Sequence, residues 1–139
     1  MLSGLAVAGA NDRTTTIAGE DDGILTAEEV AILDLTGVEW AVLSACDTGS
    51  GSETTTGESL RRAFQAAGVR TLIMSLWNTE DATTAEWMTT LYESRLRDGL
   101  STTESVHRAS LHTWERLRNE GRPTHPFFWA PFIATGDWR

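Results

Sequence analysis

The chain has 139 residues, of which 40% are hydrophobic, and it carries 20 acidic residues against 11 basic ones. This length suits one domain with a core of its own. The net charge of −9 argues against nucleic acid as a ligand, because nucleic acid needs a basic surface, and against binding to an anionic membrane. No stretch approaches the roughly 18 apolar residues of a membrane-spanning helix. The single cysteine cannot form an internal disulfide, so we expect a reducing, cytoplasmic compartment.

The first part of the chain predicts a short buried strand at residues 5–8, a polar surface loop at 11–22 and a short helix at 27–33. Thr26 and Glu29 mark the start of this helix, because a Thr hydroxyl and a Glu carboxylate three residues apart satisfy two backbone N–H groups reciprocally. The acidic residues of the loop permit two interpretations: they are solvated side chains, or they form a cation site.

Residues 41–43 form an apolar run that leads through small residues to Cys46. A run this short predicts a buried strand of a parallel sheet, and the functional clefts of such sheets lie beyond the carboxyl ends of the strands. Cys46 is therefore either a nucleophile at a strand end or a buried structural thiol. The Gly/Ser/Thr-rich loop at 47–56 either shapes a substrate cleft with its backbone N–H groups or is a solvent loop.

A helix at 57–67 and a strand at 69–75 come next in the predicted order. Gly68 ends the helix, because glycine readily adopts the left-handed conformation of a helix cap. Strand, crossover helix and strand in this order predict a right-handed parallel unit, in which the strands at 41–43 and 69–75 are neighbours. The helix presents one apolar face with helical spacing, made of Leu60, Ala63, Phe64 and Ala67.

Residues 76–81 form a second loop at the same edge of the predicted sheet. Trp77 in this loop is either a wall of the cleft or a lid on the core. Glu80 and Asp81 either face the substrate or stabilise the positive end of the helix that follows.

Two longer helices are predicted after this loop. Ser101 and Glu104 form a second capping box, which starts a helix that ends near residue 119. The helix before it, at residues 82–97, is predicted to bury the face that carries Ala85, Met88, Tyr92 and Leu96.

The histidines of this part of the chain suit structural roles. His107 and His112 lie five residues apart, so they do not share a helix face and cannot form a two-histidine metal pair. His125 precedes a proline, which predicts an extended and rigid segment. Residues 127–135 predict a last strand, and Pro131 within it indicates an edge or a bulge.

These elements together predict an α/β domain with a mainly parallel sheet and helices on both faces. Five separated blocks carry a further resemblance. They are Leu43-Ser44-Ala45-Cys46-Asp47-Thr48-Gly49, Gly57-Glu58-Ser59-Leu60-Arg61-Arg62-Ala63-Phe64, Ala67-Gly68-Val69-Arg70, Ser75-Leu76-Trp77-Asn78, and His125-Pro126 with Trp129, Phe132 and Gly136-Asp137. In this order and spacing they resemble the CHAT family, caspase-like cysteine peptidases that are often joined to tetratricopeptide repeats.

The resemblance extends over about residues 3–137 and matches the carboxyl-terminal part of a CHAT domain, so it implies that residues 1–139 form part of a caspase-like fold. It implies a cysteine endopeptidase in which Cys46 attacks the scissile carbonyl of a polypeptide substrate, without a cofactor or a metal ion. Asp47, Trp77, Glu80 and Asp81 would lie on the substrate side. In the related separases, an acidic residue that follows a Trp recognises a basic side chain of the substrate. Asp81 is the best match to that residue by position.

The resemblance leaves the catalytic base unassigned. The family's catalytic histidine belongs to a His-Gly motif upstream of the Ser3-Gly4-Leu5 block, and no residue of this sequence corresponds to it; His125 with Pro126 matches a structural signature instead. We therefore expect little or no peptidase activity from this chain alone. Three explanations stay open: the sequence is truncated, it is a fragment of a longer reading frame, or it is a half that pairs with a partner segment carrying the histidine. A tetratricopeptide-repeat or sensor domain is a further expected partner. Two other functions stay open: a non-catalytic CHAT-like interaction module, and a redox sensor that uses Cys46 at a strand end.

Overall fold

The structure is a computed structural model that describes residues 4–11, 22–44 and 55–137. The strands are β1 (Gly4–Ala6), β2 (Ile24–Thr26), β3 (Trp40–Leu43), β4 (Thr71–Ser75) and β5 (Phe132–Gly136). The helices are α1 (Ala27–Ala31), α2 (Thr55–Ala66), α3 (Asp81–Tyr92) and α4 (Thr102–Asn119), with a π-helical turn at Glu93–Arg97 and a 3-10 turn at Pro126–Phe128.

The main sheet has the strand order β3-β4-β5. β3 and β4 run parallel, with Leu43 opposite Met74, and α2 is the crossover between them. The prediction that these two strands are neighbours is therefore confirmed. β5 runs antiparallel to β4, so the described sheet is mixed and a predominance of parallel strands is not confirmed.

Helices cover both faces of this sheet, as predicted. All five residues of β4 are buried, and their side chains alternate between two cores. Leu72 and Met74 join the first core, with Val30 of α1 and with Leu60 and other residues of α2. The second core, on the opposite face, contains Ile73, Trp87, Leu91, Ala109 and Phe132, contributed by β4, α3, α4 and β5.

The outer strands are less buried than the sequence indicated. All four residues of β3 are half-buried, because within the described residues β3 pairs with a neighbour on one edge only. The strand predicted at residues 5–8 ends at Ala6, and Val7 is 52% exposed. β1 pairs antiparallel with β2 in a separate two-stranded sheet. Such a small sheet cannot cover a strand on both faces.

The predicted helix starts and stops are largely observed. Thr26 and Ser101 both form capping boxes, with Glu29 and Glu104 as their partners. Gly68 adopts a φ of +105° after α2, which side chains with a Cβ rarely tolerate. α4 ends at Asn119 as predicted, and no helix in the described ranges has both the length and the apolar composition to cross a bilayer.

The buried face of α3 differs from the prediction. The side chains of Trp87 and Leu91 are 1% and 0% exposed, and Thr83 is buried with them on the same face. Most of the predicted face points outward instead: Leu96 is 80% exposed and Tyr92 is 42% exposed, and only Met88 packs against the second core. Ala85 is exposed and Met88 is half-buried.

Two physical reasons explain why the buried face of α3 differs from the predicted one. The Trp87 ring stacks on Phe132 with 4.3 Å between centroids, so the largest side chain of α3 fixes which face meets β5. The π-helical turn at Glu93–Arg97 then widens the helix by about one residue per turn, which breaks the 3.6-residue period before Leu96 is reached. A count of apolar residues at helical spacing detects neither effect.

The last predicted strand is shorter than residues 127–135. A 3-10 turn occupies Pro126–Phe128, and β5 begins only after Pro131, whose carbonyl accepts the N–H of Leu76 at 2.7 Å. β5 lies at the end of the described strand order, as Pro131 indicated. At its end, Gly136 has a φ of +120°, and a Cβ there would lie 2.1 Å from the carbonyl oxygen of Arg70. Only glycine fits this close approach of two backbones.

The variants Leu91→Ala and Leu96→Ala test which face of α3 is buried, the observed one or the predicted one. Leu91→Ala should lower the free energy of unfolding by about 2–5 kcal/mol, because it leaves a cavity in a closed core. Leu96→Ala should cost less than about 0.5 kcal/mol, because its side chain is largely solvated. Urea unfolding followed by circular dichroism measures both, and equal losses would contradict the observed orientation.

Candidate functional site

The candidate site lies at the carboxyl edge of the parallel pair. Because β3 and β4 are parallel, both chains leave the sheet at the same edge, where clefts of α/β proteins form. Cys46 follows three residues after Leu43, and Trp77 follows three residues after Met74, the partner of Leu43 in the sheet. Cys46, Asp47 and the rest of the predicted loop up to residue 54 lie outside the described residues, so their predicted roles stay predictions.

Trp77 joins two connections of the fold at this edge. Its indole Nε1–H donates to the carbonyl oxygen of Phe127 at 2.9 Å, and its ring stacks on the Phe127 ring at 5.9 Å and 9°. Trp77 is half-buried and belongs to neither buried core cluster. Trp77 thereby anchors the segment before β5, and its predicted role as a wall of the cleft stays a prediction.

The segment 121–128 is exposed along its whole length and is held by its own polar contacts. The N–H of Phe127 donates to Nδ1 of His125 at 3.2 Å, and Nε1–H of Trp129 donates to the carbonyl of Thr124 at 3.0 Å. His125 has the extended backbone predicted for a residue before proline, with φ −62° and ψ 140°. Its ring thus caps the 3-10 turn, which is a structural role.

Glu80 is paired within the chain. Its Oε2 atom accepts hydrogen bonds from Nη2 of Arg122 at 2.8 Å and from the hydroxyl of Thr83 at 3.3 Å. The Arg122 guanidinium holds the pKa of Glu80 below its ordinary value of 4.5, first through this hydrogen bond and then through charge attraction. In the free chain Glu80 thus already binds a guanidinium, and it is the chain's own.

Of the two neighbouring carboxylates Glu80 and Asp81, Asp81 is the one that faces solvent. It is the first residue of α3 and is exposed, near the positive end of the helix dipole. Glu80 occupies the N-cap position, but its carboxylate makes no hydrogen bond to a helix N–H. The sequence thus located the helix start correctly, while the carboxylate of Glu80 has a partner that the sequence did not indicate.

A cleft of about 130 Å³ separates the 76–80 loop from the 121–128 segment. The far wall of this cleft was not predictable from the sequence pattern, because residues 127–135 have the pattern of a strand. The charge pattern gave no signal for Arg122 either, since 42 residues separate it from Glu80. The cleft lining includes Asn78, Thr79, Glu80, Arg122, Phe127 and Phe128.

The other candidate ligands of the chain are dispersed. His107 and His112 are exposed on α4, and Nδ1 of His112 lies 3.3 Å from a carboxylate oxygen of Glu86. Asp22 accepts the N–H of Ile24 at 2.9 Å, whereas the other acidic residues of the 11–22 loop lie outside the described residues. Within the ranges that the structure describes, no three His, Cys, Asp or Glu side chains are grouped to hold a metal ion.

We expect the Glu80–Arg122 pair to give stability a measurable pH dependence. Because its folded pKa is lowered, Glu80 contributes stability above the unfolded value of 4.5, and this contribution disappears as the pH falls through the folded pKa. Glu80→Gln should therefore lower Tm slightly near neutral pH, and the difference from the parent should vanish in acid. The effect should be small and sensitive to salt, because both side chains are solvated. Thermal melts across this range measure it, with exposed Glu115→Gln as control; a difference independent of pH would contradict it.

Comparison with known proteins places the chain in a family. No curated protein matches it. The family model of the CHAT domain matches residues 1–137, which is nearly the whole of the 139-residue chain. The blocks around Cys46, Trp77 and His125 all lie inside this match. The α/β fold, the parallel pairing of β3 with β4 and the length of the match lead to one conclusion: this chain belongs to the CHAT domain family.

Proposed function

We propose that this chain is the nucleophile-bearing part of a CHAT cysteine endopeptidase, with Cys46 as the nucleophile and a polypeptide as the substrate. One observation carries the proposal. β3 and β4 are parallel and pair in register, and the chain reaches Cys46 and Trp77 after the same number of residues beyond the paired Leu43 and Met74. The nucleophile and the first substrate-side residue would thus follow neighbouring strand ends.

The caspase-like part of the proposal concerns the sheet beyond β3. Only one of the two strand pairings in the main sheet, as described, is parallel, so a mainly parallel caspase-like sheet needs further strands beside β3. Apolar residues of β3 pack toward both cores, Ala41 and Leu43 toward one and Trp40 and Val42 toward the other. A strand that is apolar on both faces is suited to an interior position of a larger sheet.

The reaction requires a base, which we propose comes from outside this chain because its three histidines have other surroundings. His107 and His112 project from α4, and the ring of His125 accepts the N–H of Phe127. In the proposed step, a histidine from a partner segment takes the thiol proton of Cys46, and the sulfur attacks the scissile carbonyl carbon. Backbone N–H groups hold the oxyanion, the amine leaves with the proton, and water then hydrolyses the thioester.

We expect residues 1–139 alone to show no turnover on a peptide library, and iodoacetamide should react with Cys46 as with an ordinary thiol of pKa about 8.5. Adding a His-Gly-bearing CHAT segment, fused or in trans, should produce turnover, because a base is then available. Cys46→Ala should abolish this turnover, and the matched variant His107→Ala should leave it unchanged. Turnover by the chain alone that Cys46→Ala abolishes would show that a base lies within it, with His125 and His112 to be tested first.

On the substrate side, we propose that Asp81 reads a basic side chain before the scissile bond. Asp81 is exposed at the start of α3, whereas Glu80 is engaged by Arg122, so the charge-reading role rests mainly on Asp81. The net charge of −9 would also draw cationic polypeptides toward the protein. Trp77 would contribute a wall beside this carboxylate, and Asp47 would lie next to the nucleophile in the sequence.

We expect Asp81→Asn to reduce kcat/KM for an Arg peptide more than for a matched Met peptide in the complemented enzyme. If the substrate desolvates the ion pair, the difference should correspond to about 2–5 kcal/mol. Glu115→Gln, which removes an exposed carboxylate on α4, serves as the control for net charge. Equal losses on both peptides, or none, would leave Asp81 as a residue that only stabilises the helix start.

The other two functions would respond differently to the same variants. An interaction module would keep its partner when Cys46 is replaced by Ala, whereas a redox sensor would show peroxide-dependent oxidation of Cys46 by mass spectrometry. A cytoplasmic location, with a tetratricopeptide-repeat or sensor domain as partner, belongs to the same proposal and is supported by the single cysteine.

A further inference from the structure

The cleft between the 76–80 loop and the 121–128 segment has firm aromatic walls. Phe127 and Phe128 are 49% and 38% exposed, and their rings meet edge to face at 5.4 Å and 90°. Trp77 stacks on Phe127 and donates to its carbonyl, which fixes the wall against β4. The two exposed aromatic rings are already held in one geometry. A ligand that contacts them therefore does not incur the entropy cost of ordering these side chains.

The charges at the cleft cancel each other. Glu80 and Arg122 are the only charged residues that line it within the described part of the chain, and they are hydrogen-bonded together at 2.8 Å. An incoming carboxylate or guanidinium would have to break this pair before gaining a partner of its own. The other lining residues are uncharged: Asn78, Thr79 and Thr83 are polar, and the rings of Phe127 and Phe128 are apolar. The cleft therefore favours an uncharged occupant.

We propose that this cleft is a specificity pocket that takes an uncharged aromatic side chain of the polypeptide substrate. The proposal rests on the proposed peptidase function, because the cleft opens beside the β4 end at which Trp77 stands. Its volume of about 130 Å³ is close to the engineered cavity of about 150 Å³ that binds benzene. A ring can also pack against Phe127 and Phe128 in stacked or edge-to-face geometry, which an aliphatic side chain cannot match.

Capped amino acids test the pocket without catalysis. The indole N–H signals of Trp77 and Trp129 in a ¹⁵N-labelled chain report on the cleft wall, because their hydrogen bonds hold the segment that forms it. N-acetyl-phenylalaninamide should shift the Trp77 signal saturably, with a Kd on the order of 1–10 mM. The leucine amide should bind about two- to tenfold more weakly, since it lacks the ring–ring contact. No saturable shift of this signal, or equal binding of the arginine amide, would overturn the proposal.

Matched variants locate the binding. Phe128→Ala should remove most of the shift, as should Phe127→Ala, which keeps the backbone carbonyl that Trp77 uses; Leu96→Ala, at a largely solvated position elsewhere, should change nothing. If Phe127→Ala changes the amide spectrum as a whole, that variant has lost its fold, and the shift measured with Phe128→Ala alone locates the binding. Binding that survives Phe128→Ala would place the ligand elsewhere and overturn the proposal.

A charge variant tests the neutrality of the pocket. Arg122→Gln leaves the carboxylate of Glu80 without its guanidinium, so the arginine amide should bind several-fold more tightly than it does to the parent. An unchanged affinity would contradict the role of the ion pair. Cys46→Ala should bind the phenylalanine amide like the parent. If the parent chain does not bind the phenylalanine amide although the complemented protein is an active peptidase, the pocket alone is refuted. If the parent chain binds the amide but the complemented protein shows no turnover, the peptidase alone is refuted.

Discussion

The complete burial of β4 is the constraint on which the rest of the structure depends. Its five residues are inaccessible to water, so every backbone N–H and C=O group of the strand needs a partner, and these partners are β3 on one edge and β5 on the other. Its side chains need cover on both faces, which α1 and α2 provide for Leu72 and Met74, and α3 and α4 for Ile73. One short strand thereby fixes the positions of two strands and four helices.

This arrangement also determines where chemistry can occur. Just beyond the end of β4, the N–H of Leu76 donates to the carbonyl of Pro131, which holds the chain beside the start of β5. Trp77 uses that position to hold the segment before β5 through a stack and a hydrogen bond. The parallel partner β3 brings the chain to the same edge of the sheet.

The distribution of charge at this edge differs from that of the whole chain. The net charge is −9, yet Arg122 offsets Glu80 at the cleft, and Arg116 similarly contacts Glu86 between α3 and α4. The protein can therefore attract a cationic polypeptide at long range and still prefer an uncharged side chain in the cleft. The attraction depends on the summed charge of the chain, whereas the preference depends on the neutral Glu80–Arg122 pair. Asp81, exposed at the start of α3, is where the overall acidity could act at close range.

The sequence by itself determined the features that depend on neighbours along the chain. The two capping boxes, the end of α2 just before Gly68 and the parallel pairing across a crossover helix follow from local hydrogen bonding and from the handedness of the chain. Only the tertiary structure decided the buried face of α3, because Trp87 packs on Phe132 from a distant strand. It also decided the antiparallel direction of β5 and the pairing of Glu80 with Arg122. These contacts join residues more than 40 positions apart, and their energies depend on which surfaces the fold brings together, which no local pattern encodes.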